Sequence, residues 1–436
     1  MKEDFLHFVW LYKKFQLTSL YTTKGKTITI LNAGQYLQKA GPDFFNAQLL
    51  IDNQRWAGNV EIHLKSSDWY VHHHQNDVNY DNVVLHVVWD HDVDVFRKNN
   101  ESIPVLELKS YVLPETVAHY EHLMKPKSWI NCENELKSID DFTLKHWFER
   151  LFIERLEKKS TEITNLLAET TNNWEHVFYT FLAKSFGLNT NGNSFLKMMQ
   201  TLPVSLIRKE RHDLQQLEAL FFGTIGLLNT DYEDVYFQEL KEKWLFLQHK
   251  YQLEEVDHLT IQFFKHRPDN FPTIRLAQLA QLMHSHENLF QSCLEAKTTE
   301  QMYQLFKVQV SPYWLSHYIF DKESPAKKKY ISPSFVDLLI LNCIIPIKFC
   351  YATYQGKEAI EELIALASAV QSEKNSIVER FQRSGIKSLD SYHSQALLQL
   401  KNEYCNFNRC LNCEIGQKLI NFTSSNEKSN GSKFVS

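Results

Sequence analysis

Two carboxylates and a row of nitrogen bases stand at a spacing that allows them to share one divalent metal ion. Asp43 closes the tripeptide Gly41-Pro42-Asp43, and after seventeen intervening residues come Glu61, Ile62, His63, Leu64 and Lys65. Mg2+ and Mn2+ prefer hard oxygen ligands, need few protein carboxylates and keep waters that attack a phosphodiester, a need that Asp43 and Glu61 meet. A base two residues past the glutamate, His63 or by a longer reach Lys65, orients or deprotonates that water. The plainer reading makes Gly41-Pro42-Asp43 a turn and leaves Glu61 and His63 on a solvated strand face.

The elements that must position these groups are legible from hydrophobic period. Phe5, Phe8, Val9, Leu11, Tyr12 and Phe15 form a helical stripe, so a short helix is expected over residues 4–15. Residues 27–31 are β-branched, Ala47, Leu49 and Ile51 alternate with polar neighbours, and Asp52-Asn53 supplies turn chemistry before Trp56, Val60, Ile62 and Leu64. Residues 83–89 read as a strand buried on both faces and 105–112 as one more strand, closed by Pro114. Alternate side chains of a strand share a face, so Asn59, Glu61, His63 and Lys65 align opposite Val60, Ile62 and Leu64. Antiparallel return through the turn at Asp52-Asn53 then brings Asp43 beside this row.

In order and topology these residues resemble the PD-(D/E)xK nuclease superfamily, whose core is an α-β-β-β-α-β unit with an aspartate opening the second strand and E-x-K on the third. The resemblance covers residues 1–112. It implies a restriction-endonuclease-like mixed sheet, hydrolysis of phosphodiester bonds at Asp43 and Glu61, and Glu3 in the superfamily's first, variable acidic position. His63 departs from the motif's lysine, and Lys65 on the same face is its substitute. A longer string, Gly41 to Phe44, Trp56 to His63, Ser66 to Trp69 and Leu85 to Val88, resembles an uncharacterised bacterial family found in Bacteroidetes-type genomes. That likeness extends over the whole chain and implies a bacterial origin without an activity.

Other polar groups compete for attention. Asp90 or Asp92 with Glu107 and Lys109 makes a second, lower-ranked E-x-K, and a charged edge strand explains those residues better. His72, His73 and His74, with Asp68 and Asp77, offer nitrogen and oxygen ligands for zinc or manganese. Consecutive histidines rarely all turn inward, so a solvated loop is the expectation, the alternative being that one of His72 or His74 lines the site. His86, among Val84, Leu85, Val87 and Val88, reads as a hydrogen-bonded core histidine.

From Glu115 the period becomes helical, with segments at 141–168, 174–186, 213–228, 233–251, 274–292 and 357–384, separated by loops at 189–193, 267–272 and 324–329. Arg267, Asn270 and Arg275 combine cations with an amide, a set suited to phosphate and base contacts in DNA or RNA, or to a helix cap with a buried arginine. Cys405-x4-Cys410-x2-Cys413 has metal-type spacing, and a metal there needs a fourth ligand, Cys132 or else His393; an Fe–S cluster or Zn2+ fits the spacing, and three structural or free thiols explain it equally well. Cys293, Cys343 and Cys350 lie in apolar helices as core residues.

Composition limits the remaining options. At 436 residues, with 43% hydrophobic and 13% aromatic content and only 12 glycines and 11 prolines, the chain suits two or three globular domains rich in helix. A net charge of −5 supplies no global basic field, so nucleic acid must be bound by a local patch. Residues 336–350 are apolar but interrupted by Asp337, Asn342, Pro346 and Lys348, and Lys2, Glu3 and Asp4 do not open a signal peptide, so a cytoplasmic protein without membrane association is expected. The resulting expectation is an α+β protein: a nuclease-like domain at 1–115, a helical domain at 116–395, a cysteine knuckle at 396–422 and a disordered tail at 423–436. Its function is then metal-dependent nucleic-acid hydrolysis, the alternative being a non-catalytic scaffold with a degenerate nuclease fold that binds nucleic acid or protein.

Overall fold

Glu3 and Asp4 open helix α1 (Glu3–Leu11), where negative charge suits the partial positive charge of a helix N-terminus. The computed structural model describes residues 1–37, 41–125, 127–253, 261–264 and 266–421; the tail expected at 423–436 lies outside them. Phe5, Leu6, Phe8, Val9 and Trp10 bury one side of α1. The helix stops short of Phe15, because the chain turns through Lys13 at φ 52°.

Seven strands form one mixed sheet: β1 (Leu20–Tyr21), β2 (Thr27–Asn32), β3 (Gln35–Tyr36), β4 (Phe44–Ile51), β5 (Gln54–Lys65), β6 (Val83–Asp90) and β7 (Val105–Glu107). The order is β1-β2-β4-β5-β6-β7, with β3 also paired to β4. Neighbours from β1 to β5 are antiparallel, whereas β5, β6 and β7 run parallel. Asp52 and Asn53 both adopt positive φ, 49° and 64°, the conformation that a two-residue hairpin turn favours because it matches the strand twist. A parallel pair needs a crossover. Residues 66–82 provide it and contain the single-turn helix α2 (Asp68–Val71). Val83 to Val88 are all buried, as a strand covered on both faces requires. β7 is shorter than expected, and Pro114 opens helix α3 (Pro114–Met124) at a position where its missing N–H costs nothing.

The chain forms two compact units. One comprises Met1–Trp147, Arg383–Ile386 and the chain from Leu400 on; the other comprises Phe148–Gln382 and Lys387–Gln399. Within the first unit, His119 Nδ1 lies 3.3 Å from Ile420 O, and Gln417 Nε2 donates to Tyr12 Oη at 3.0 Å, so the cysteine-bearing segment belongs with the sheet.

The second unit is helical around buried Phe178, Phe186, Phe221, Phe222, Trp244 and Trp314. Residues 189–193 are not the expected loop. They lie in helix Leu188–Thr201, where the buried Asn191 amide exchanges two 2.9 Å bonds with the Gln262 backbone and so outweighs local turn propensity. The segments 274–292 and 357–384 each divide in two, into Pro272–Ser285 and Leu289–Glu295, and into Ile360–Ser368 and Ser376–Arg383. The polar residues at 337, 342, 346 and 348 do not interrupt helix Pro333–Tyr354, whose 22 residues are long and apolar enough to cross a membrane. Sixty-seven per cent of its most apolar window is nevertheless buried within the protein, and Lys348 Nζ bonds Ala296 O (2.6 Å) and Glu362 (2.9 Å), as suits a core helix.

Candidate metal centre

Pairing of Phe44 with Val60 carries Asp43 alongside Glu61. The two residues interlock: Asp43 N donates to Glu61 Oε2 (3.2 Å) and Ile62 N donates to Asp43 Oδ2 (3.0 Å). On the other side β6 approaches closely because position 58 is glycine; a Cβ there would lie 2.4 Å from Val84 Cγ1 and 2.6 Å from Asn82 O. The parallel register then sets His86 beside Glu61 and Val88 beside His63. The polar row that the plainer reading left on a solvated face is closed: Asn59, Glu61 and His63 are 6%, 5% and 2% exposed.

The crossover is what closes it. His73 takes φ 60° and is exposed, and this left-handed step turns both His72 and His74 toward β5. His63 Nε2 lies 3.0 Å from His72 Nδ1, and Glu61 Oε1 lies 3.2 Å from His74 Nε2 and 3.5 Å from His63 Nε2. One nitrogen from each of His63, His72 and His74 falls within 4.8 Å of the others. Zinc bonds of about 2.0–2.1 Å give a tetrahedral edge of roughly 3.3–3.4 Å, which the observed separations bracket. His74 is held by stacking on Tyr80, with ring centroids 3.7 Å apart, and by the edge of Trp69 at 5.4 Å. Asp68 and Asp77 serve the loop instead of a metal, accepting the backbone N–H groups of Lys65 (3.0 Å) and Asn79 (2.9 Å).

His63 Nδ1 lies 2.8 Å from Nε2 of the fully buried His86. A neutral imidazole has one proton for two nitrogens. When His63 Nδ1–H donates to His86, the Nε2 lone pair is left facing Glu61 and His72, the tautomer that a metal-bound histidine adopts.

The electrostatics of these groups match that geometry. Burial, with the charge of Asp43 added, pushes the Glu61 carboxyl up to about 9. Burial together with the neighbouring His86, His74 and His72 holds His63 down to about 2, and burial with His74 and His91 holds His86 at about 3. Burial also lowers His74, against the pull of Asp77, Asp43 and Glu3. An acid that resists ionising thus faces imidazoles that resist protonation, and a bound cation resolves both by favouring carboxylate and neutral nitrogen.

Sequence reasoning did not single out His7. Its Nε2 is 3.2 Å from Asp43 Oδ2 and its Nδ1 is 3.3 Å from Tyr36 Oη. Burial pulls the His7 pKa down, but Asp43, Glu3 and Asp4 outweigh it and hold the ring above its ordinary value. Glu3 is close enough to His7, His72 and Asp43 to feel their charges. The pair Glu3 and His7, one helical turn apart, was the available signal.

The remaining candidates lie elsewhere. Lys65 is exposed at the end of β5, and among the described residues its ammonium makes no contact with Asp43 or Glu61. The rival E-x-K separates, since Glu107 accepts from His91 N (3.2 Å) while Lys109 pairs with Asp90 at the surface (2.6 Å). Arg275 is 5% exposed, lies 3.4 Å from the Phe335 ring centroid and bonds Gln278 Oε1 (2.7 Å) and Asn270. That burial commits Arg275 and Asn270 to the fold and leaves Arg267 the exposed member of the expected nucleic-acid set.

The chain belongs to the family described as "Protein of unknown function (DUF2851)", whose model matches residues 3–376. No curated protein and no solved structure matches it.

Proposed function

We propose that this DUF2851 member is a metal-dependent phosphodiesterase acting on DNA or RNA, with its metal held by Glu61, His63, His72 and His74 and with Asp43 and His7 beside it. The observation that carries the reading is Glu61 Oε1 facing imidazole nitrogens at 3.2 and 3.5 Å while its other oxygen interlocks with Asp43. With the two-residue strands β1 and β3 set aside, the order α1, β2, β4, β5, α2, β6 follows the α-β-β-β-α-β order of the PD-(D/E)xK resemblance, Asp43 preceding the second of these strands and Glu61 lying on the third. α2 is a single turn where that core has a helix.

The ligand set differs from a pair of carboxylates on magnesium. Three imidazole nitrogens suit manganese or zinc better. A bound ion of this kind polarises a phosphate oxygen and makes a water nucleophilic near neutral pH. Glu61 supplies its negative charge to the site, and His86 fixes the tautomer of His63, which is a ligand in this reading and not the water-orienting base. Asp43 holds His7 and favours its protonated form, so His7 is the group suited to give a proton to the leaving oxygen.

The test is cleavage of labelled single- and double-stranded DNA and RNA with Mg2+, Mn2+ or Zn2+, comparing wild type with Glu61→Gln and His72→Ala after circular dichroism confirms folding. Cleavage with manganese or zinc that falls on the order of 100-fold in both variants supports the proposal. The second reading, a metal-bound scaffold with a degenerate nuclease fold, is favoured by His63 standing in the lysine position with Lys65 turned to solvent. Metal binding without cleavage of any substrate selects it.

A further inference from the structure

Cys132 and three cysteines near the end of the chain, Cys405, Cys410 and Cys413, line one cavity in the sheet-containing unit. Cys132 comes from the segment after α3, Cys405, Cys410 and Cys413 from the turns before the C-terminal helix Glu414–Ile420, and Leu123 and Ile130 close the apolar wall. Gly416 makes the convergence possible, because a Cβ at that position would lie 2.1 Å from Cys410 O. His393, the alternative fourth ligand, is engaged with Asp390 at 2.6 Å.

Hydrogen-bond donors point at the sulfurs. Asn131 Nδ2 reaches Cys410 Sγ at 3.4 Å, and the backbone N–H groups of Ile415 and Gly416 reach Cys413. Such donors favour thiolate over thiol, whereas burial and the mutual charge of the other sulfurs oppose it in Cys132 and Cys405. Burial keeps these four groups as thiols unless a bound cation favours the thiolates.

Spacing separates the two soft-metal solutions. A zinc ion with sulfur ligands at about 2.3 Å holds neighbouring sulfurs about 3.8 Å apart. Among the described residues, the group of three or more potential ligands whose atoms lie within 4.8 Å of one another is His63, His72 and His74, so no three of these sulfurs are that close. Four cysteines around one cavity, with no three sulfurs as close as one zinc ion draws them, suit a cluster better than a single ion.

We propose that Cys132, Cys405, Cys410 and Cys413 ligate an iron–sulfur cluster that ties the C-terminal segment to the region after α3. The proposal is independent of the histidine site. It is tested on the full chain, produced with iron supplementation and purified without oxygen, by visible absorbance and by chemical assay of iron, acid-labile sulfide and zinc. Expected are a broad visible band bleached by dithionite and iron and acid-labile sulfide in equal amounts, with the sulfide lost in Cys410→Ser. Sulfide is the discriminating quantity, because iron bound at the histidines brings none. One zinc per chain without sulfide, or no metal with four titratable thiols, overturns the assignment. Wild-type stoichiometry decides the matter even where a variant does not fold.

Discussion

At His63 the side chain is 2% exposed, and its two ring nitrogens face His86 at 2.8 Å and His72 at 3.0 Å. An ammonium in that space meets imidazoles already resistant to protonation and has no lone pair to offer a metal. His63→Lys, which restores the residue of the nuclease motif, is therefore expected to abolish metal binding by calorimetry. Retained metal-dependent cleavage in that variant would instead make position 63 a base. His73 carries the left-handed backbone of the loop, a conformation that glycine adopts without strain. His73→Gly should leave metal affinity unchanged, while His72→Ala and His74→Ala each lower it about 10-fold or more; an equal loss in all three would show that the loop conformation, and not the two nitrogens, matters. Asp43 and Glu61 were legible together because strand alternation and a two-residue turn are local rules. His72 and His74 were legible only as alternatives, since one backbone angle at His73 turns both toward β5 while His72 stays exposed, and the partnership of His7 depends on where α1 packs.

Among the elements, the contact between β5 and β6 is the closest constraint on the site. Gly58 faces Val84 Cγ1 and Asn82 O at distances that leave no room for a methyl group. Gly58→Ala should cost about 1–3 kcal/mol of stability in urea unfolding, as overpacking does, and should weaken metal binding by shifting His86 away from His63. Unchanged stability would mean that the strands are further apart than described. The sheet itself followed from periodicity, including the hairpin at Asp52-Asn53 and the doubly covered β6. The helical region was legible as a class, but its breaks were not: Asn191 is held in a helix by a partner 71 residues away, a contact that no local window contains.

The whole molecule's response to pH depends on buried acids outside the candidate site as well. Glu218 in the helical unit is fully buried, accepts from Ser311 Oγ (3.1 Å) and Tyr236 Oη, and is pushed up to about 7 by burial from an ordinary 4.5. The native carboxyl therefore binds its proton more tightly than the unfolded chain does. Its contribution is fully present below pH 4.5 and is lost as pH rises to about 7, amounting to about 3 kcal/mol, a large fraction of a typical domain's stability. Glu218→Gln should flatten that part of the stability profile, read as the difference in urea midpoints between wild type and variant at pH 5 and pH 7.5; parallel profiles would oppose the assignment. The claim on which the functional account rests most heavily is that four side chains from β5 and the crossover share one ion. Anomalous diffraction from crystals of the full chain grown with Mn2+ tests it directly. A peak is expected about 2.0–2.2 Å from Glu61 Oε1, His63 Nε2, His72 Nδ1 and His74 Nε2. Manganese bound elsewhere, with these four side chains hydrogen-bonded only to one another, would contradict it.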